Sequence, residues 1–114
     1  MSAITTHVLD TSAGRPAAGV PVTLESRGEG GDWQMLGRGA TDADGRLRDL
    51  LPDDFDFKEG EYRLTFDTSS YFSSRGVESF YAQVVVSFVV RDAGAHYHVP
   101  LLLSPFGYTT YRGS

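Results

Sequence analysis

Histidine is the side chain that changes charge nearest neutral pH, and this 114-residue chain has three, His7, His96 and His98. An imidazole of this kind can take a proton from water or bind a metal. In "HYHVPLL" one residue separates His96 from His98, so a continuous strand would aim both rings the same way, as metal sites often do. A metal needs a third and usually a fourth ligand. His7 is one candidate, but the acidic residues fall mostly in turns, so we expect no metal, with His96 a loop residue beside a strand histidine at 98.

The other motifs are thinner. "DADGR" opens like a calcium loop but lacks the later oxygen ligands and the closing glutamate, and reads better as a hairpin turn, with Asp44 and Gly45 in the turn and Arg46 starting a strand. "GEGGD" has no Lys-Ser/Thr or following helix to hold a phosphate, and "SPFG" lacks the glycine pattern of a nucleophile elbow. What remains is His7, His98, Arg46, Tyr111 and an Arg-Gly-Ser ending. By residue type alone, such groups are more often surface than site.

Short runs of alternating apolar and polar residues must position these groups, and clusters of Gly, Asp, Pro and Ser separate them, which predicts an all-β sandwich in one domain over residues 1–114. Eight strands are expected: "ITTHVLD", "VPVTLES", "WQMLGRGA", "GRLRDL", "GEYRLTFD", "AQVVVSFVV", "YHVPLLLS" and "GYTTYRG". "SSYFSSRG" reads as a short helix with a serine cap and Gly76 as its stop. Pro100 gives no amide hydrogen to a ladder, which predicts that its strand lies near an edge or is locally irregular.

Period two then sorts faces. Thr5, His7 and Leu9 share one face of the first strand, and Thr109, Tyr111 and Gly113 share one face of the last. In "YHVPLLLS" the face of Tyr97, Val99, Leu101 and Leu103 belongs to the core, which turns His98, Pro100 and Leu102 outward. An outer face carrying leucine, proline and tyrosine suggests contact with another subunit.

Composition narrows the classes. Fifteen acidic and ten scattered basic residues give a net charge of −5, which argues against nucleic acid as a partner. There is no cysteine, hence no disulfide or thiol nucleophile. "MSAITTHVLD" lacks the basic and apolar regions of a signal peptide, and "VVVSFVV" is too short for a membrane helix. A soluble protein of the cytoplasm is expected.

The segments from "THVLDTSAGRPAAGVPVTLE" through "DADGRL" and "GEYRLTFDT" to "HVPLLLSPFGYTTYRGS" resemble the transthyretin-like 5-hydroxyisourate hydrolase family over nearly the whole chain. The ending is the most specific part, since the hormone carrier of the same fold lacks the terminal Tyr-Arg-Gly-Ser. The resemblance implies a prealbumin-like two-sheet sandwich, a homotetramer built as a dimer of dimers, no cofactor, and a small-molecule substrate, 5-hydroxyisourate, in the channel between dimers. Residue by residue it implies a catalytic set of His7, Arg46, His98 and Ser114, with Tyr111 and Arg112 on the substrate.

With Ser114 a working part, the chain is expected to stop there because further residues would enter the channel. Whether the serine hydroxyl or a terminal carboxylate acts stays open, as does which histidine is the base. The chemistry expected is water attack on a ring carbonyl, with a histidine as general base, Arg46 stabilising the developing charge, and no covalent intermediate. The rival functions are a carrier of a small aromatic ligand and an adhesion or carbohydrate-binding sandwich, for which Trp33 would be the one obvious platform.

Overall fold

The first strand, β1 (Ile4–Asp10), alternates small and branched side chains, and its inward residues Ile4, Thr6 and Val8 are fully buried. A computed structural model describes residues 2–114. Along the chain β1 is followed by β2 (Arg15–Pro16), β3 (Pro21–Arg27), β4 (Trp33–Ala40), β5 (Arg46–Leu47) and β6 (Gly60–Phe66). Helix α1 (Thr68–Ser73) then leads to β7 (Val84–Val90), β8 (Tyr97–Ser104) and β9 (Gly107–Thr110). One sheet runs β2-β1-β8-β9 with β5 also paired to β1, and the other runs β4-β3-β6-β7. The all-β two-sheet sandwich with one short helix is therefore present, with nine strands among the described residues instead of eight.

The extra strand is β2. Asp10 folds the chain back after β1, its carboxylate accepting from the amides of Ser12 and Ala13, and Leu9 and Asp10 then pair with Pro16 and Arg15. A two-residue strand inside turn-rich sequence carries no periodicity to read.

Facing positions of the two sheets fill the core. Leu24 from β3, Leu64 and Phe66 from β6 and Leu101 from β8 are fully buried, and Tyr97, Val99 and Leu103 nearly so. Burying each such aliphatic or aromatic side chain stabilises the fold by about 1.5–3 kcal/mol. The outward direction of His98, Pro100 and Leu102 follows from this packing.

Pro100 brings the local irregularity expected of it, but not an edge position. Its strand lies inside the sheet, paired parallel with β1 and antiparallel with β9. The β8–β9 register puts Leu101 opposite Thr110 and resumes at His98 opposite Gly113, so Pro100 falls opposite Tyr111. With no amide hydrogen to donate there, the ladder opens at Tyr111 and Arg112. The Thr110 hydroxyl instead donates to the Pro100 carbonyl at 2.8 Å, and the Gly113 amide donates to the His98 carbonyl at 2.8 Å. The predicted strand over 107–113 is thus a strand to Thr110 plus a single pair at Gly113.

Helix α1 is capped by Asp67 and not by a serine: its carboxylate accepts from the Ser70 amide at 3.2 Å and the Ser70 hydroxyl at 2.7 Å. A charged acceptor one turn ahead of Ser70 displaces the serine from that role. Gly76 does end the segment, at φ +69°. Tyr71, buried on the helix, donates to the Asp10 carboxylate at 2.8 Å and ties α1 to the end of β1. No helix among the described residues is long and apolar enough to cross a membrane.

Candidate active site

The turn before β5 is shaped by one glycine. Gly45 has φ +78°, and a Cβ there would stand 2.3 Å from the Val8 carbonyl, because the turn lies directly on β1. Its carbonyl accepts from the Val8 amide at 2.7 Å, and Asp42 closes the turn by accepting the amides of Asp44 and Arg46. Those contacts, led by the Arg46 amide, hold the Asp42 carboxyl below its ordinary range against a smaller opposing effect of burial. Asp44 keeps a negative φ, and the turn joins β4 of one sheet to β5 of the other, so it is a crossover and not a hairpin.

The docking of this turn brings Arg46 opposite His7 in the β1–β5 pair. On the other side of β1 the parallel register sets Thr5 opposite His98 and His7 opposite Pro100. Paired residues share a face, so His7, Arg46, His98 and Thr5 all project from the outer side of one sheet. A cleft of about 220 Å³ opens there, lined by Thr5, Arg46, Arg48, His96, His98 and Ser114.

Ser114 reaches this cleft because Gly113 presses the tail against β8. A Cβ on Gly113 would lie 2.7 Å from His98 Cδ2 and 3.1 Å from Pro100 Cγ. Tyr111 and Arg112, released from the ladder by Pro100, line a second cavity of about 240 Å³ at the open edge of the sandwich, with Val86, Phe88, Tyr97 and Val99. The Arg112 guanidinium lies over the Tyr97 ring, 4.4 Å from its centroid, and donates to the His96 carbonyl at 3.3 Å. Within one chain these two residues are therefore separate from the cleft that holds Arg46, His98 and Ser114.

The ring nitrogens are held in particular ways. His7 Nε2 lies 2.9 Å from the Asp44 carbonyl, which only accepts, so that nitrogen carries the proton. His98 Nδ1 lies 2.8 Å from Thr5 Oγ1, leaving Nε2 as the nitrogen for the cleft. Burial, followed by the charges of Arg46, His7 and His96, pushes the His98 pKa below its ordinary value. His98 is therefore a neutral imidazole near pH 7, the form that can accept a proton.

Three residues of the cleft have no role assigned by the sequence. His96, placed in a loop, does precede β8, yet its Nε2 lies 3.0 Å from the same Thr5 hydroxyl. Thr5 is 4% exposed and joins the two rings. Arg48 adds a second cation to the cleft, and its signal was present: "RLR" puts Arg46 and Arg48 on one side of an extended segment. Among the described residues the ion pairs are Arg27 with Glu61, Lys58 with Asp56 and Arg63 with Glu25, which leaves both cleft arginines without a carboxylate partner. The arrangement can attract an anionic or electron-rich group and move protons beside it.

Trp33 offers no open platform, because the Arg63 guanidinium sits over its ring at 4.1 Å from the centroid and is itself held by Glu25 at 2.8 Å. The carbohydrate-binding alternative loses its one residue.

Residues 4–113 match the HIUase/Transthyretin family. A Caenorhabditis elegans protein described as a probable 5-hydroxyisourate hydrolase is 48% identical over 99% of this chain and 82% of its own length. Among solved structures, 5-hydroxyisourate hydrolase of Klebsiella pneumoniae is 37% identical with a TM-score of 0.85, covering 100% of both chains. Sea bream transthyretin in complex with thyroxine is 34% identical with a TM-score of 0.90, over 96% of this chain and 93% of that one. The backbone alone thus does not separate an enzyme from a carrier, but a match running almost end to end places this chain in the HIUase/Transthyretin family.

Proposed function

We propose that this protein hydrolyses 5-hydroxyisourate, opening its ring to 2-oxo-4-hydroxy-4-carboxy-5-ureidoimidazoline in urate breakdown. The observation that carries the reading is a single cleft uniting a neutral His98, an unpaired Arg46 and Ser114, in a chain 48% identical to a probable hydrolase of this substrate. A carrier of an apolar aromatic ligand has no use for two unpaired guanidinium groups and a low-pKa histidine in its site.

In the proposed chemistry the oxygen of water bonds to a ring carbonyl carbon while one of its protons passes to His98 Nε2. The carbonyl electron pair moves onto oxygen, where the Arg46 guanidinium stabilises it. Collapse breaks the ring C–N bond, the nitrogen takes the proton back from His98, and no bond to the protein forms. His7, its Nε2 tied to the Asp44 carbonyl, presents a fixed ring beside Arg46 and orients the substrate. Arg48 supplies a second positive charge, and Ser114 a polar group on the tail beside His98.

The cleft supports assembly as well. About 220 Å³ is smaller than the ~300–1,000 Å³ usual for small-molecule sites, as expected of a part that a second copy completes. The edge strand β7 exposes Val85 and Val89, and β9 and the tail expose Tyr108 and Tyr111, so apolar surface remains for partners. The reading is a homotetramer, a dimer of dimers, in which Tyr111 and Arg112 shape the shared channel from a neighbouring chain.

The test generates 5-hydroxyisourate in situ from urate with a urate oxidase and follows its ultraviolet decay. The protein should accelerate that decay, and Arg46→Lys, which loses the planar fork, should lower turnover by about 100- to 1,000-fold. A folded tetramer that leaves the decay at its spontaneous rate would instead favour a carrier. Monomers alone, with full activity, would contradict the shared channel.

A further inference from the structure

Thr5 Oγ1 lies 2.8 Å from His98 Nδ1 and 3.0 Å from His96 Nε2, and the threonine is 4% exposed. A hydroxyl has one hydrogen. The oxygen could accept from two donors, but among the described residues its hydrogen-bond partners are these two nitrogens alone; the hydrogen therefore goes to one of them and the other donates, so two neutral imidazoles at this spacing carry opposite protonation on the nitrogens that face Thr5. One arrangement has His98 Nδ1–H donating to Thr5 and the Thr5 hydroxyl donating to His96 Nε2. That arrangement leaves His98 Nε2 bare, which is the state a base in the cleft needs.

We propose that Thr5 is a positioning residue of the hydrolase and the centre of a His96–Thr5–His98 proton relay, holding His98 with Nε2 bare and carrying its proton out to His96. The inference rests on the hydrolase reading above. Opening a cyclic amide produces a carboxylic acid whose proton has to reach solvent. When His98 Nε2 takes that proton, Nδ1 passes its own hydrogen to Thr5 Oγ1 as the Thr5 hydrogen moves to His96 Nε2. His98 is left neutral and His96 becomes the cation, which then loses its Nδ1 proton to water. The relay thus returns His98 to neutrality but leaves its hydrogen on Nε2; once the product has left, His96 Nδ1 takes a proton from water, both hydrogen bonds shift back, and His98 Nε2 gives its hydrogen to water in the open cleft, which restores the starting state.

Exposure gives the relay its direction. His96 is exposed, whereas His98 is half-buried and faces Arg46 from β5 and His7 from β1, with Arg48 further along the cleft wall. Burial makes a positive charge costly on His98, and the exposed His96 can hand a proton directly to water. The residue that the sequence leaves as a loop histidine becomes the exit for the proton.

The test has a spectroscopic arm and a kinetic arm. Nitrogen-15 NMR of the ligand-free protein near pH 7 should find His98 Nδ1 bonded to hydrogen and His96 Nε2 bare, and Thr5→Val should abolish that complementarity. Turnover of 5-hydroxyisourate by Thr5→Val should fall at least about tenfold with KM nearly unchanged, and Thr5→Ser, which keeps the hydroxyl, should restore it. His96→Gln, able to bond Thr5 but not to take up a proton, should show the same fall without a change in melting temperature. A bare His98 Nδ1 or a protonated His96 Nε2 in the wild type, or wild-type turnover in His96→Gln, would overturn the relay. The NMR arm needs no substrate, so a protein without hydrolase activity would defeat the functional reading while still testing the hydrogen-bond arrangement.

Discussion

Gly113→Ala should disable the cleft while leaving the fold intact. Gly113 has no positive φ, so alanine meets no intrinsic backbone penalty there. Its Cβ, however, would stand 2.7 Å from His98 Cδ2, where carbon atoms prefer about 3.5–4.0 Å. The shortfall is about 0.8 Å or more, and one of two parts must move. If the ring yields, the His98 Nδ1 to Thr5 separation grows from 2.8 Å to beyond the reach of a hydrogen bond. If the tail yields, the Gly113 amide leaves the His98 carbonyl and Ser114 is withdrawn. A misplacement of about 1 Å at a reacting group can cost on the order of 100-fold. We therefore expect kcat/KM to fall about 100-fold in the ultraviolet decay assay. The core is untouched, so the melting temperature should stay within about 4 °C, the shift that 1 kcal/mol gives a domain of this length. Activity within threefold of wild type would mean that the contact between tail and ring is not part of the site.

Gly45→Ala should act on both stability and activity. The left-handed backbone costs about 1–2 kcal/mol for alanine, and the Cβ contact with the Val8 carbonyl adds to it, so the melting temperature should drop by roughly 4–8 °C or more while Arg46 loses its place opposite His7. A variant with unchanged melting and turnover would contradict this. Tyr71→Phe removes a hydrogen bond to a buried carboxylate and should cost about 1.5–3 kcal/mol, or roughly 6–12 °C, with turnover retained. Burial would raise the Asp10 pKa, but the hydrogen bonds from Ser12, Tyr71 and Ala13 outweigh it and hold the pKa below 3.8. That stability is present above pH 3.8 and is lost as pH falls through the folded value, so acid unfolding curves of wild type and Tyr71→Phe should converge at low pH. His98, lowered by burial and then by its cationic neighbours, should titrate below 6.5 by NMR, with the acid limb of kcat/KM following it. A midpoint above 6.5 would contradict the assigned environment.

The sandwich was legible because each long strand alternates every second residue, and that alternation already turned His98 outward and Tyr97, Val99, Leu101 and Leu103 inward. The convergence of His7, Arg46 and His98 was not legible from periodicity. It depends on a parallel β1–β8 register and on a two-residue β5, pairings between segments about 40 to 90 positions apart that leave no local trace. The family resemblance supplied those names, and the structure supplies their geometry. Thr5 was on the right face yet carried no signal, since a threonine in a strand is ordinary until two imidazoles meet its hydroxyl. Pro100 marked a local irregularity and not an edge, because a missing amide hydrogen can be absorbed inside a sheet when the neighbouring strand ends there, as β9 does at Thr110. That break also turns Tyr111 and Arg112 toward the sandwich edge, which period two alone would not suggest.

The proposed chemistry turns on His98 as the base of a 5-hydroxyisourate hydrolase. Progress curves for freshly generated substrate, recorded side by side for buffer, wild type and His98→Ala at matched oligomeric state, test it most directly. The wild type should accelerate the decay, and the variant should be slower by at least about 100-fold, within the range that general-base catalysis contributes. Equal acceleration by both proteins would contradict it.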